Sequence, residues 1–193
     1  MEPDATRDRI AEAALAILEA EGAEKVSMRR VAGAAGITAM AIYHHFHNRE
    51  ALLNAVTDRE FSKLRAYIVK DPHRGSIESQ IMKAMEAYID YAFDRPRIFD
   101  YVFAQPREGA RAYPADFRAR RSPTLNPIAD LLDAGMKAGT LKKDDVWEVA
   151  MELWAHIHGY LALHRAGRFN LLESEFRALV RRSLKRLIRG LKA

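Results

Sequence analysis

Two groups of residues have the types and spacing to do chemistry. Tyr43 and His44 lie in the stretch SMRRVAGAAGITAMAIYHHF, which runs from Ser27 to Phe46. A phenol hydroxyl and an imidazole N–H placed together on one exposed face can donate to phosphate oxygens. That chemistry is binding, not bond-making. The second group lies in WAHIHGYL, with Glu152 just before it. Glu152 and His156 are four apart and share a helix face, while His158 lies roughly opposite His156, so the three cannot converge without another element. A glycine-rich phosphate loop, a nucleophile elbow and a zinc-protease motif are all missing. No enzyme is therefore expected, and an all-α enzyme using Glu152, His156 and His158 is kept as an alternative. His44, His45 and His47 point in different directions on a helix, so no metal site is expected there. His45, between the exposed and inner faces, reads as structural. The chain has no cysteine, which excludes disulfides, thiolate metal sites and cysteine nucleophiles. No cofactor is implied.

The elements that must hold these residues are helices. No period-two alternation persists, and helical periodicity runs throughout. The first helix is expected from about Thr6 to Glu21, with Ile10, Ala13, Ala14, Ile17 and Leu18 on one face and Gly22 past its end. Ser27 caps a second helix through its hydroxyl, Gly36 breaks it, Thr38 caps a third and Asn48 a fourth. Two short helices joined by a tight turn have the spacing of a helix-turn-helix, whose second helix enters the DNA major groove. Further helices are expected at 76–94, 96–103, 126–139, 144–166 and 173–191. Residues 104–123, with three prolines and a glycine, read as an irregular connection. The fold class is all-α. An N-terminal helix-turn-helix domain over 4–64 is followed by a larger helical domain over 76–193.

The length of 193 residues suits a small domain joined to a larger one. No apolar run is long enough to span a membrane, and the acidic, polar N-terminus does not read as a signal peptide. A cytoplasmic protein is expected. The net charge of +5 does not by itself argue for nucleic acid. Residues 1–60 hold seven Lys/Arg against ten Asp/Glu, a net of −3, so the remaining 24 against 16 give +8. The excess gathers at Arg177, Arg181, Arg182, Lys185, Arg186, Arg189 and Lys192, read here as a solvated face. Between Lys25 and Glu50 four basic residues face one acid, a local excess of the right sign.

Val31, Ala32, Ala35, Ile37, Ile42 and Phe46 suit the inner face of a three-helix unit. Ala39, Met40, Tyr43, His44 and His47 remain exposed. In this pattern the chain resembles the TetR family of bacterial transcriptional regulators. The resemblance runs from Thr6 to about Val56, through SMRRVA, the AGIT turn, IYHHF and NREALL. It implies a base or phosphate contact for Arg29 and groove positions for Ala39, Met40 and Ala41. It implies phosphate contacts for Tyr43 and His44, a place near the DNA backbone for Arg49, and a capping role for Thr38. Position 40 departs from the small or polar residue common in relatives. Ala39, Met40 and Ala41 offer no side-chain hydrogen bond, so they can only meet thymine methyls or fit groove shape. Hydrogen-bond readout then falls on Arg29, with Tyr43 beside it.

In the C-terminal part, Trp154, His158 and Gly159 resemble the Trp-His-Gly pattern of one subgroup of TetR-type domains, and 95–105 resembles the family's short helix opening with proline. Gly159 in mid-helix costs about 1 kcal/mol against alanine, which suggests close approach of another helix. The apolar residues of 144–166 spread over more than one face, which suggests burial on more than one side. The resemblance implies a homodimer through the last two helices and a pseudo-palindromic double-stranded DNA operator. It also implies a small-molecule effector held by the middle helices, with Tyr88, Phe99, Phe103, Trp154 and His158 as candidate lining. An aromatic lining suits a hydrophobic or aromatic molecule. A repressor released by that molecule is the expected function, and a DNA-binding protein without an effector is the other alternative.

Overall fold

The computed structural model describes residues 3–69, 75–104 and 109–193. Among them the chain is all-α, with no strand and one isolated bridge between Leu141 and Lys192. The helices are α1 (Pro3–Glu21), α2 (Met28–Ala34), α3 (Ala39–Tyr43), α4 (Arg49–Val69), α5 (Ile77–Asp94), α6 (Pro96–Ala104), α7 (Ala115–Arg118), α8 (Asn126–Lys137), α9 (Val146–Arg165) and α10 (Glu173–Gly190). No helix among the described residues is long and apolar enough to cross a membrane.

Local chemistry starts and stops these helices. Ser27 accepts the Arg30 N–H at 3.3 Å and Thr38 accepts the Ala41 N–H at 3.1 Å. Asn48 accepts the Ala51 N–H at 2.7 Å, and Asp145 accepts those of Trp147 and Glu148. Each cap satisfies a donor that the helix itself leaves open. Gly36, at φ 67°, turns the chain between α2 and α3 through the left-handed region. One expectation fails here. The supposedly irregular stretch 104–123 contains α7, whose Phe117 is buried against Trp154 with ring centroids 6.4 Å apart. A four-residue helix is too short to show a period.

The described residues fall into two compact units. The first comprises those of Met1–Phe61 and Arg95–Ala110, the second those of Ser62–Asp94 and Arg111–Ala193. The division is not one cut along the chain. The segment with α6 lies inside the 76–193 domain by sequence, yet it groups with the N-terminal helices.

A buried ion pair shows what holds α6 in the first unit. Glu60 is fully buried on the inner stripe of α4, and its Oε2 accepts from Arg95 Nη1 at 2.6 Å. The same guanidinium reaches Glu19 of α1 at 3.0 Å, and Arg97 donates to the carbonyls of Glu19 and Ala20 at the end of α1. Phe103 packs at a tilt of 47° on Phe99, centroids 4.9 Å apart, and edge-on against Phe61 at 5.7 Å.

In the second unit the core stripe of α9 is Val149, Leu153, Ile157 and Leu161, four apart along one face. Trp154 and Tyr160 flank it half-buried. Among the described residues no other helix of this chain makes the close approach expected at Gly159. A Cβ at Gly159 would meet nothing within 4 Å of this chain, whereas one at Gly135 of α8 would lie 2.7 Å from Leu141 and 3.0 Å from Ile77. The basic face of α10 is exposed at Arg181, Arg182, Lys185, Arg186 and Arg189, as expected of a solvated stripe, and part of the basic cluster also pairs with acids. Arg177 meets Asp90, Arg181 meets Glu86 and Lys192 meets Glu78, each across to α5. The acids descend α5 as the bases ascend α10, which the antiparallel directions of the two helices require.

Candidate nucleic-acid interface

The reading surface is built from the inside outward. Val31, Ala32, Ala35, Ile42 and Phe46 are buried, so α2 and α3 are held on their inner faces. Ala32 and Ala35 are small enough to let the helices cross closely, and the Ile37 N–H closes the turn on the Ala32 carbonyl at 3.0 Å. What faces outward follows from that packing. Ala39, Met40, Tyr43, His44 and His47 are all exposed, Met40 at 74% and Tyr43 at 51%. A methionine so exposed is unusual for a packing residue and suits a surface meant to be covered. Ala41 is half-buried, so it offers less contact than its two neighbours. Ser27 and Thr38 have their hydroxyl oxygens engaged as caps.

The cations around this surface divide sharply. Arg29 is exposed and meets no carboxylate among the described residues. Its neighbour Arg30 is spent internally, pairing with Glu21 at 2.5 Å and donating to the Lys25 carbonyl. The Arg30 guanidinium holds the Glu21 carboxyl below the usual carboxylate range. Arg49, at the start of α4, donates through Nε to the Val26 carbonyl at 2.7 Å and through Nη2 to that of Ala23 at 2.5 Å. The guanidinium thus ties the short turn Ala23–Lys25 and the entry to α2 onto α4.

The five candidate lining residues separate between the units. Phe99 and Phe103 belong to the first, with Phe61. Tyr88, Trp154 and His158 meet in the second. The Trp154 indole N–H donates to the Tyr88 hydroxyl oxygen at 3.0 Å, and that hydroxyl lies 3.0 Å from His158 Nδ1. Indole nitrogen can only donate, so the Tyr88 oxygen accepts from Trp154 and shares a further hydrogen bond with His158 Nδ1. Burial favours the uncharged forms, raising the Tyr88 phenol and lowering the His158 imidazole. His156 points elsewhere, with Nε2 3.0 Å from Ser183, whose oxygen accepts the Tyr160 proton at 3.1 Å. The two histidines therefore serve separate networks, as their offset on the helix requires.

Sequence reasoning missed the Ser183 cluster and the Arg95–Glu60 staple. For the staple one signal was present: a carboxylate at position 60 interrupts the apolar stripe of Leu53, Val56 and Leu64, and a buried carboxylate needs a cation.

A capped helix-turn-helix with an exposed second helix, followed by a separate helical unit, defines the class of helix-turn-helix regulatory proteins. Residues 10–56 match the family model of bacterial regulatory proteins of the tetR family, and residues 81–187, more than half of the chain, match that of the tetracyclin repressor-like C-terminal domain. The chain belongs to the TetR family, whose members regulate transcription and are not enzymes.

The transcriptional repressor DrrR1 of Streptomyces coeruleorubidus is 44% identical over 57 residues, which are 30% of this chain and 21% of that protein. The uncharacterised helix-turn-helix regulator Rv0681 of Mycobacterium tuberculosis is 22% identical over 171 residues, 88% of this chain and 75% of that one. The chain thus spans about a fifth of the first relative and three quarters of the second. Among solved structures, a Rhodococcus sp. RHA1 protein of unknown function superposes with a TM-score of 0.81 at 20% identity, over 97% of this chain and 96% of that one.

Proposed function

We propose that the chain is a homodimeric transcriptional repressor that binds a pseudo-palindromic DNA operator and is released by a small hydrophobic or aromatic molecule. The observation that carries the DNA-binding reading is the outward face of α3, with Met40 and Tyr43 exposed above a buried inner face. Arg29 beside it carries a charge that no carboxylate among the described residues answers. Ala39, Met40 and Ala41 meet thymine methyls or groove shape, Arg29 reads a base, and Tyr43 and His44 hold phosphates. Ser27 and Thr38 act by capping. Arg49 serves at the backbone chiefly by fixing the entry to α2.

Domain 4–64 reads DNA, and 76–193 holds the effector and the dimer contact. Half-sites one helical turn apart, about 34–36 Å, or a longer multiple, suit a two-fold dimer. The open space over Gly159 and the exposed Leu163 on α9 support pairing through the last two helices. The Tyr88–Trp154–His158 network is the strongest support for an effector site and for the Trp-His-Gly subgroup. It sets a phenol, an indole N–H and an imidazole in hydrogen-bond contact among aromatic rings. Phe99 and Phe103 act through the packing of the first unit. The effector works by binding one of two arrangements of α4 more tightly, which changes the spacing of the reading heads. The protein acts in the cytoplasm.

Selection of bound fragments from a random DNA pool, repeated with candidate ligands, tests this reading. Recovery of a palindromic site that a ligand releases is expected. In a panel of site variants, Arg29→Ala is expected to relax discrimination at one base pair by about 1–3 kcal/mol. Tyr43→Phe is expected to weaken all sequences alike. Uniform loss from Arg29→Ala would refute its base-reading role, and a tight ligand that leaves DNA affinity unchanged would refute the release mechanism.

A further inference from the structure

The first unit commits most of its guanidinium groups internally. Arg30 grips Glu21, Arg49 the Val26 and Ala23 carbonyls, Arg59 Asp8, Arg95 Glu60 and Glu19, and Arg97 the end of α1. Arg7 of α1 is different. It is exposed and meets no carboxylate among the described residues, yet it is not loose. Its Cζ lies 4.7 Å over the centroid of the Phe46 ring. Phe46 is buried, and its N–H bonds back to the Ile42 carbonyl at 3.0 Å, just beyond the His44 cap of α3. The fold has therefore fastened an arginine from the first helix beside the last turn of α3.

A guanidinium over a ring face spends none of its N–H donors on that contact. A ring face does not neutralise the charge. A guanidinium held this way has lost part of its rotamer freedom before any ligand arrives, so a phosphate meets a preorganised fork. Its position argues for backbone and not base. Recognition helices read base edges with their N-terminal residues, here Ala39 to Ala41, while Arg7 stands at the opposite end of α3.

We propose that Arg7, supported on Phe46, is a DNA-phosphate contact of this protein, fixing the C-terminal end of α3 against the backbone. The inference rests on the DNA-binding reading above. It adds a cation to a unit whose sequence is net acidic and whose other arginines are largely spent.

The test uses the full chain and an operator fragment recovered from the random pool, with affinity measured from 50 to 200 mM salt. Arg7→Gln is expected to flatten the dependence of log K on log salt by about 0.9 for each bound subunit. With two subunits on one operator, the wild type then loses about 12-fold more affinity than the variant over that fourfold range. Arg7→Lys keeps the charge and is expected to keep the slope. Arg7→Met covers Phe46 without charge and takes the place of Arg7→Gln if circular dichroism shows the latter unfolded. A wild-type slope in the neutral variant, whatever its melting temperature, would show that Arg7 only packs on Phe46. Loss confined to a single base pair would make it a base reader and overturn the proposal as well. If the wild type recovers no DNA from the pool, the DNA-binding reading itself fails and this inference falls with it.

Discussion

The first unit and the last helix of the second make opposite use of charge. Residues 1–60 are net acidic, yet they carry the surface that suits DNA, because Arg30, Arg49 and Arg59 answer local acids and carbonyls while Arg29 is left facing outward. α10 is strongly basic, yet Arg177, Arg181 and Lys192 are met by acids of α5. Bulk charge therefore locates neither the interface nor its strength. What matters is which cations lack an internal partner. The two units also differ in how deeply their ion pairs lie. In Arg95–Glu60 the carboxylate is fully buried, and losing Arg95 takes a cation from it. The pairs between α5 and α10 are open to water and screened.

That contrast can be broken first at Arg95. Arg95→Ala leaves the Glu60 carboxylate buried without its cation and is expected to cost about 3–5 kcal/mol in denaturant unfolding. A loss below about 1 kcal/mol would mean that Glu60 finds water or another donor, and that the buried pair is no different from the surface ones.

Tyr88→Phe comes next. It removes the hydroxyl that joins Trp154 and His158, at an expected cost of about 1–3 kcal/mol. The same site gives a pH dependence. Burial lowers the His158 pKa, so the unfolded chain binds protons at higher pH than the folded one. Stability is then complete above the ordinary histidine value of about 6.5 and falls as pH drops from there through the lowered folded value. His156 adds to this in the same direction, lowered first by burial and then by the nearby Arg186 charge. Melting curves between pH 7.5 and 5 should show the fall, and His158→Asn should reduce it. A flat profile in the wild type would contradict the neutral assignment of both imidazoles.

Thr38→Ala removes the cap of α3 and is expected to cost about 1 kcal/mol, read as lost stability together with weaker DNA binding, because the capped turn carries the reading face. The smallest effect is expected at Arg181→Gln. Its partner Glu86 is part-exposed and the pair is solvent-screened, so the change should stay within about 0.5 kcal/mol and vanish in high salt. A loss matching that of Arg95→Ala would erase the distinction between the two regions.

Much of the architecture was legible because its causes are local. Ser27, Thr38 and Asn48 each cap with an N–H three residues ahead, and a short sequence window contains both partners. The exposed set on α3 was likewise readable, since burying Ile42 and Phe46 leaves only one outward direction for Met40 and Tyr43. Arg49 shows where such reading stops. The family resemblance sets it near the DNA backbone, and its guanidinium also lies on the Val26 and Ala23 carbonyls, which no local pattern announces. α7 was lost for a related reason: its buried side chain, Phe117, packs on Trp154 and its Arg118 pairs with Asp145, both partners distant in sequence.

By itself, the sequence determined every helix but α7, and the face that the long ones bury, because backbone hydrogen bonds and apolar period act over a few residues. Only the tertiary structure decided which faces meet. It drew Arg95 to Glu60 and Glu19, set Tyr88 between Trp154 and His158, matched α10 to α5, and stacked Arg7 on Phe46. Those pairings join residues far apart in the chain. A helical period says which side of a helix is buried but not what it is buried against.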